Sequence, residues 1–333
     1  MYRPDCPEAD LGPRNGPAEA LRPLRDLVRA ASGSGPADEI HALFARFKSR
    51  FGEPAALWAR ENLAPHRSTV KTVFYPFGGP DLLFPFHLFP QARHYVLVGA
   101  EPWGPWPSGE RPDGLALAGI ADMLRHYLDS SYFVTKDLRA QLASSGIGGV
   151  LPLLVAQIAH AGLPLHRIDP VGGSGTGIRI LLGDRAAPAS LHYFQQDLRD
   201  EHWPRESPLD RHLGAAPRFA TLVKSASYLL HEAPFERLRR LLRERTDVLV
   251  QDPSGIPYRL LRAWGWHIEL HGRFVADIPV FAKYDQSELA AAYGDSDGRA
   301  ALPFGIGYLN DAAKAGLVVA APTRQPSGPS CDS

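Results

Sequence analysis

The sequence predicts an α/β fold: a mostly parallel sheet with helices on both faces, an inserted helical pair plus β-hairpin, and a second β-hairpin late in the chain. Three observations predict it. Short runs rich in Val, Leu, Phe and Tyr recur at 72–75, 95–98, 190–194, 219–223 and 247–251, as strands buried on both faces do. Segments with apolar residues at helical spacing lie between them, and such alternation favours parallel pairing through helical crossovers. Several runs end in Gly, Pro or an acid, the composition of a sheet edge that meets a ligand.

Residues 1–36 are rich in Pro, Gly, Ala and Arg and read as a weakly ordered arm with one short helical pattern at 21–31. From residue 37, Ile40, Leu43, Phe44, Phe47 and Phe51 recur at helical spacing, and 55–63 predicts another short turn or helix. The strand at 72–75 runs into a Gly/Pro turn at 76–81 and an aromatic-rich connection. A second strand at 95–98 leads to Glu101. The Pro- and Trp-rich stretch 102–112 cannot continue a strand or a helix. Leu115, Leu117, Ile120, Met123, Leu124 and Leu128 predict a helix over 113–128, and 131–142 and 149–160 predict two more. Apolar alternation around GGSGTG predicts a hairpin at 167–184, so the insertion covers about 131–189.

The strand at 190–194 ends in Gln-Gln-Asp197. After the strand at 219–223 comes KSASYLLHE, then a helix at 234–245 with proline in its first turn. The strand at 247–251 turns through DPSGIP. Residues 266–274 and 275–281 predict the late hairpin, 286–293 a helix, and 305–314 an irregular to helical stretch. The tail from 322 reads as disordered. One α/β domain over 37–321 results.

Lys+Arg and Asp+Glu are each 36, so the formal net charge is zero. Nothing global favours nucleic acid or an anionic membrane. Two cysteines, Cys6 and Cys331, stand at opposite ends and make neither a disulfide framework nor a metal knuckle. No apolar run is long enough to span a bilayer and no signal-peptide core precedes the fold, so the expected location is cytoplasmic. GGSGTG lacks the ending of a P-loop. Thirteen histidines include no metal-ligand pair at helical spacing, so no metal is expected.

Candidate chemistry gathers at strand ends. In Tyr75-Pro-Phe-Gly-Gly-Pro-Asp81, Gly78 and Gly79 allow close backbone approach to a small-molecule ligand, and Asp81 either caps the next helix or faces that ligand. Glu101 ends the second strand, where one carboxylate accepts both hydroxyls of a ribose; a solvated loop acid is the alternative. Lys224, Ser225, Ser227, Tyr228 and His231 form the most chemically varied cluster, with His231 a candidate general base. On a helix the same stretch simply packs through Ala226, Leu229 and Leu230. Asp252 and Ser254 end the strand at 247–251, although D-P-S-G is also ordinary turn chemistry.

YPFGGPD followed by YVLVGAEP resembles the first two motifs of class I S-adenosylmethionine-dependent methyltransferases, a Rossmann-like family. There a Gly-rich turn follows strand one and an acid ends strand two. HYFQQDLRD resembles the third-strand segment, with Asp197 where an adenine lies. LVKSASYLLHE resembles the fourth, beside the acceptor pocket, and DVLVQDPSG the fifth. The similarity spans roughly 72–255. It departs in the first motif, where Tyr75 and Pro76 replace an acid and a glycine, and in the long insertion between strands two and three. The FYPF-G-PD and EP-G pairing also resembles bacterial proteins of unassigned activity.

The methyltransferase resemblance implies transfer of a methyl group from S-adenosylmethionine to a small-molecule or protein acceptor. Tyr75, Gly78, Gly79, Asp81, Glu101 and Asp197 would hold the donor, and Tyr228, His231 and Asp252 would flank the acceptor. The eroded first turn leaves open a non-catalytic ligand sensor or partner-binding protein, with the aromatic-rich region 84–106 as a protein-facing surface. A hydrolase built on Ser254 or Ser227 with His231 is a third reading.

Overall fold

The apolar runs expected as strands do pair with one another. In the computed structural model, which describes residues 35–104, 114–145, 147–172, 176–225, 227–276, 278–294 and 299–323, they form a single sheet. The helical pattern expected at 21–31, Trp106, and both cysteines lie outside the described residues.

Helix α1 (Pro36–Phe47) continues through a π-helical turn (Lys48–Gly52) into α2 (Glu53–Asn62) and the single turn α3 (Ala64–Arg67). Then come β1 (Thr72–Tyr75), α4 (Leu83–Leu88), β2 (His94–Gly99), α5 (Gly114–Ser130), α6 (Thr135–Ser144) and α7 (Leu151–His160). The hairpin β3 (Leu165–Val171) and β4 (Gly177–Leu182) leads to β5 (Ala189–Gln195), α8 (Pro208–Ala215) and β6 (Phe219–Val223). Helix α9 (Glu236–Arg245), β7 (Thr246–Gln251), α10 (Tyr258–Ala263), β8 (Trp266–Gly272), α11 (Ser287–Gly294) and β9 (Gly316–Pro322) complete the order.

The sheet runs β3-β4-β5-β2-β1-β6-β7-β9-β8. The five central strands, β5-β2-β1-β6-β7, are parallel. Antiparallel pairs flank them on both sides: β4 against β5 and β3, and β9 against β7 and β8. The expectation of a mostly parallel sheet is therefore corrected to a mixed one with a parallel centre.

Alternation along the strands builds two cores. Val73, Tyr75, Tyr95 and Leu97 face one side, where Phe44 and Phe47 of α1, Phe84 of α4, Leu124 of α5 and Leu154 of α7 pack. Phe74, Val96 and Val98 face the other, against Leu213 of α8, Leu238 of α9, Leu261 of α10 and Leu289 of α11. Burying one such side chain contributes ~1.5–3 kcal/mol, so the central strands are committed on both faces. Helices thus cover both faces, as expected.

Two features differ from expectation. Among the described residues of 275–281 there is no strand; a 3₁₀ turn (Pro279–Ala282) lies there instead. The partner of β8 is β9, which pairs with β7 on its other edge; its run LVVAA shows no alternation because Leu317 and Val319 are buried in one core and Val318 and Ala320 in the other. The helix expected after Asp81 is α4, whereas α8 and α10 are not read from the sequence. Of these, α8 starts on a side-chain cap, with Ser207 Oγ accepting from the Asp210 N–H at 3.1 Å.

Candidate functional site

From β1 the chain moves outward to β2 and β5, then crosses back to β6 and β7 on the other side of β1. The reversal falls between β1 and β6. The crevice outside the carboxyl ends at such a point is where open α/β sheets bind ligands. A cavity of about 800 Å³ lies there. Phe77 and Gly79 line it from β1, Glu101 from β2, residues 195–199 from β5, Thr135 and Arg139 from α6, and Leu229, Glu232 and Phe235 from beyond β6.

Glu101 is 2% exposed, with what surface it keeps at the cavity wall. A buried carboxylate needs donors. The Tyr193 hydroxyl of β5 donates to its backbone oxygen at 2.8 Å and lies 3.3 Å from Oε2. Burial, followed by the charge of Glu101, holds that phenol well above its ordinary pKa, so it stays a donor. Gly79 lies over the acid with φ +52°, a conformation that a side chain disfavours, and a Cβ there would come 3.5 Å from Oε2. The Gly79 N–H donates to the Val98 carbonyl at 3.0 Å. After Glu101, the Pro102 and Trp103 carbonyls accept from Val150 and Leu151 N–H at 3.0 Å each. The start of α7 in the insertion therefore fixes the loop that carries the acid.

Tyr75, Gly78 and Asp81 lie beneath this cavity rather than in its wall. Asp81 is 1% exposed and accepts from the Tyr127 hydroxyl (2.7 Å), Lys224 Nζ (2.8 Å), the Tyr75 hydroxyl (3.3 Å) and the Phe84 N–H (3.3 Å). It caps α4 and forms a buried ion pair. The expectation that it faces a ligand is corrected, and Tyr75 is corrected with it, because four donors leave the carboxylate no reason to face solvent. Gly78 packs on the Tyr75 ring. Lys224 Nζ also donates to the Ser131 carbonyl and stands 3.7 Å from the Phe84 ring centroid. Desolvation lowers its pKa, and the Asp81 charge opposes that shift. Gln157 of α7 clamps the same turn, accepting from the Leu82 N–H at 3.0 Å and donating to the Pro80 carbonyl at 2.6 Å.

Beyond β6 and β7, Asp252 is buried and accepts from the Ser225 N–H (2.9 Å), the Ser254 N–H (3.0 Å) and Ser254 Oγ (2.5 Å). Ser225 sits in the left-handed region at φ +49°. Gly307, at φ +64°, presses on the Asp252 carboxylate so closely that no side chain fits. His231 Nε2 lies 2.9 Å from the Gly255 carbonyl and donates to it, while burial holds the ring below its ordinary pKa and hence neutral. Tyr228 packs on Tyr284 with ring centroids 5.7 Å apart. Tyr228, His231 and Asp252 thus stand together at one end of the sheet but outside the cavity wall. Their neighbours Leu229 and Glu232 supply that wall instead.

Asp197 does line the cavity. Its carboxylate is paired with the Arg199 guanidinium at 2.5–3.2 Å, which holds it below the usual carboxylate range. Arg139 lines the opposite side and donates to the Ala100 carbonyl. Sequence reasoning missed Tyr127, Gln157, Tyr193 and Arg139. Glu232 lies in the KSASYLLHE segment, where its local pattern does not single it out.

The aromatic region is core. Phe84, Leu88 and Phe89 are at most 1% exposed, and Phe86 and Trp103 are half-buried against them. The expected protein-facing surface at 84–106 is corrected for its described residues, because these side chains cover the sheet. Among the described residues no three His, Cys, Asp or Glu are grouped to hold a metal ion, and no helix is long and apolar enough to cross a membrane. No family model, no curated protein and no solved structure matches the chain.

Proposed function

We propose that the cavity binds the adenosyl group of S-adenosylmethionine and that the protein is a Rossmann-like methyltransferase. One observation carries this: a buried Glu101 carboxylate in the cavity wall at the end of the second parallel strand, beneath the backbone of Gly79. A carboxylate accepts through about four lone-pair sites, so the Tyr193 hydroxyl leaves room for two ribose hydroxyls. The order β5-β2-β1-β6-β7 supports it, since numbered by appearance among the parallel strands it is 3-2-1-4-5, the doubly wound order. The cavity volume suits a ligand of that size.

When bound, the donor supplies an activated methyl group, and the chain's part is placement. Glu101 sets the ribose, and Asp197 with Arg199 borders the end away from β6. Phe77 and Phe235, with ring centroids 5.9 Å apart, wall the other end against water. The Gly79 N–H is already bonded to Val98, so the turn contributes shape rather than a donor. Calorimetry with S-adenosylhomocysteine tests the reading. Saturable binding is expected, and Glu101→Gln should weaken it about tenfold or more through loss of charge-assisted hydrogen bonds. Absence of binding by folded protein overturns it.

A second reading is favoured by one observation: Tyr228, His231 and Asp252 are all turned into internal contacts. On that reading the cavity senses the ligand without transferring from it. Donor binding with no methyl turnover on any acceptor would select it.

A further inference from the structure

Beside the end of the cavity beyond β6 lies a feature that the donor site does not use. Glu232 lines the cavity and is shared with a neighbouring aromatic cluster. Its Oε1 accepts from Lys283 Nζ at 2.9 Å and from the Tyr284 hydroxyl. Lys283 Nζ lies 4.8 Å from the Tyr284 ring centroid. The chain's own ammonium therefore rests between a carboxylate and an aromatic face, the combination that recognises cationic nitrogen. Tyr284 continues into a row of half-buried rings: Tyr228 at 5.7 Å, and from Tyr228 to Tyr308 at 6.5 Å and Tyr132 at 5.3 Å beyond it.

The two halves of this clamp differ in how firmly they are held. Lys283 is a long side chain, 69% exposed, and an exposed ion pair of this kind adds little stability. Glu232 is 31% exposed, and its backbone is fixed: its N–H donates to the Leu229 carbonyl at 3.0 Å and its own carbonyl accepts from Arg239. Tyr284 is held against His231 at 5.0 Å and against Tyr228. A competing ammonium can displace Lys283 without disturbing either of the other two.

We infer that the acceptor is a cationic amine, held beside this end of the cavity by Glu232, which lines it, and by the face of Tyr284, in the position that Lys283 now occupies. As a statement about an acceptor, this rests on the methyltransferase reading; as a statement about a binding site, it stands on the Glu232–Tyr284–Lys283 geometry. An anionic acceptor would meet the Glu232 charge, and a neutral one would leave it without exchange for Lys283. An ammonium must lose a proton before its nitrogen lone pair can form the new N–C bond; the donor's S–CH3 bond would break as that bond forms, its electron pair staying on the sulfur of the departing S-adenosylhomocysteine. Glu232 is held below the usual carboxylate range by Tyr284 and Lys283 and is a weak base, so that proton passes to solvent at the exposed side of the clamp.

The test is calorimetric titration of the full chain with benzylammonium, benzyl alcohol and benzoate, with and without S-adenosylhomocysteine. Benzylammonium should bind about tenfold more tightly than benzyl alcohol, with benzoate weaker still, as an ion pair plus a cation–π contact implies. Glu232→Gln should abolish the preference. Lys283→Met removes the internal competitor and should tighten benzylammonium binding by about threefold or more, a gain that misfolding cannot imitate. Equal affinity for benzylammonium and benzyl alcohol overturns the inference, as does an unchanged affinity in Lys283→Met. Binding of S-adenosylhomocysteine without amine preference removes the amine site and leaves the donor reading. Amine preference without S-adenosylhomocysteine binding supports the site and removes the donor.

Discussion

Replacing Asp81 by asparagine should destabilise the protein more than replacing its partner Lys224 by methionine, and the gap should depend on pH. Both side chains are within 1% of full burial, and removing one member of a buried pair costs ~3–5 kcal/mol. In Lys224→Met the carboxylate keeps the Tyr127 and Tyr75 hydroxyls and the Phe84 N–H, so the loss belongs at the lower end, ~3 kcal/mol. In Asp81→Asn the ammonium keeps the Ser131 carbonyl and the Phe84 ring but loses its direct anion. Its alternative is to fold neutral. From the ordinary lysine value of 10.5 that costs about 5 kcal/mol at pH 7, at 1.36 kcal/mol per unit. The native Lys224 pKa is already lowered by desolvation, and loss of Asp81 lowers it further. The unfolded chain of this variant then binds the extra proton, so its stability rises with pH by up to ~1.4 kcal/mol per unit below the unfolded value. Urea unfolding at pH 7 and pH 9, with an unchanged m-value, measures both effects. Equal losses in the two variants, or an Asp81→Asn deficit that does not narrow at pH 9, would refute the reasoning.

The remaining predictions concern acid stability and one glycine. His87, His160 and His212 are pushed down to about 4, chiefly by burial. Each is neutral in the fold and binds a proton more readily when unfolded, so stability present above pH 6.5 should fall as pH drops toward 4, by up to ~3 kcal/mol per histidine. Denaturant midpoints at pH 7 and pH 5 check this, and an unchanged midpoint contradicts it. Gly307→Ala should cost ~2 kcal/mol or more, because a Cβ would strike the Asp252 carboxylate, 2.6 Å from its Cγ, at φ +64°. Thermal unfolding measures it, and a loss below ~0.5 kcal/mol would show that the 305–309 loop moves freely away from Asp252.

What the sequence made legible follows from distance along the chain. The five parallel strands stood out because burial on both faces turns them into short apolar runs. The position of Glu101 at the end of the second strand was legible because it depends only on where that strand stops. The role of Asp81 was not, since the same position can cap a helix, face a ligand or pair with a cation. The residues that decide among these, Tyr127 and Lys224, lie 46 and 143 positions away. Gln157 clamps the turn from 75 positions away, on a helix whose apolar pattern gave no reason to single it out. Strand β9 escaped notice because a short apolar run without alternation has no periodic signature.

The placement of β9 has a consequence for biosynthesis. This strand is made after β7 and β8, yet it lies between them and bonds to both. While synthesis proceeds, the parallel centre can form, but β7 keeps an unpaired edge and β8 has nowhere to dock until 316–322 emerge. Such an edge invites pairing with other nascent chains. Closure of the sheet joins elements far apart in order of synthesis, which makes it a slow, late event. A nascent polypeptide stalled before residue 316 is thus the form of this protein most in need of a chaperone.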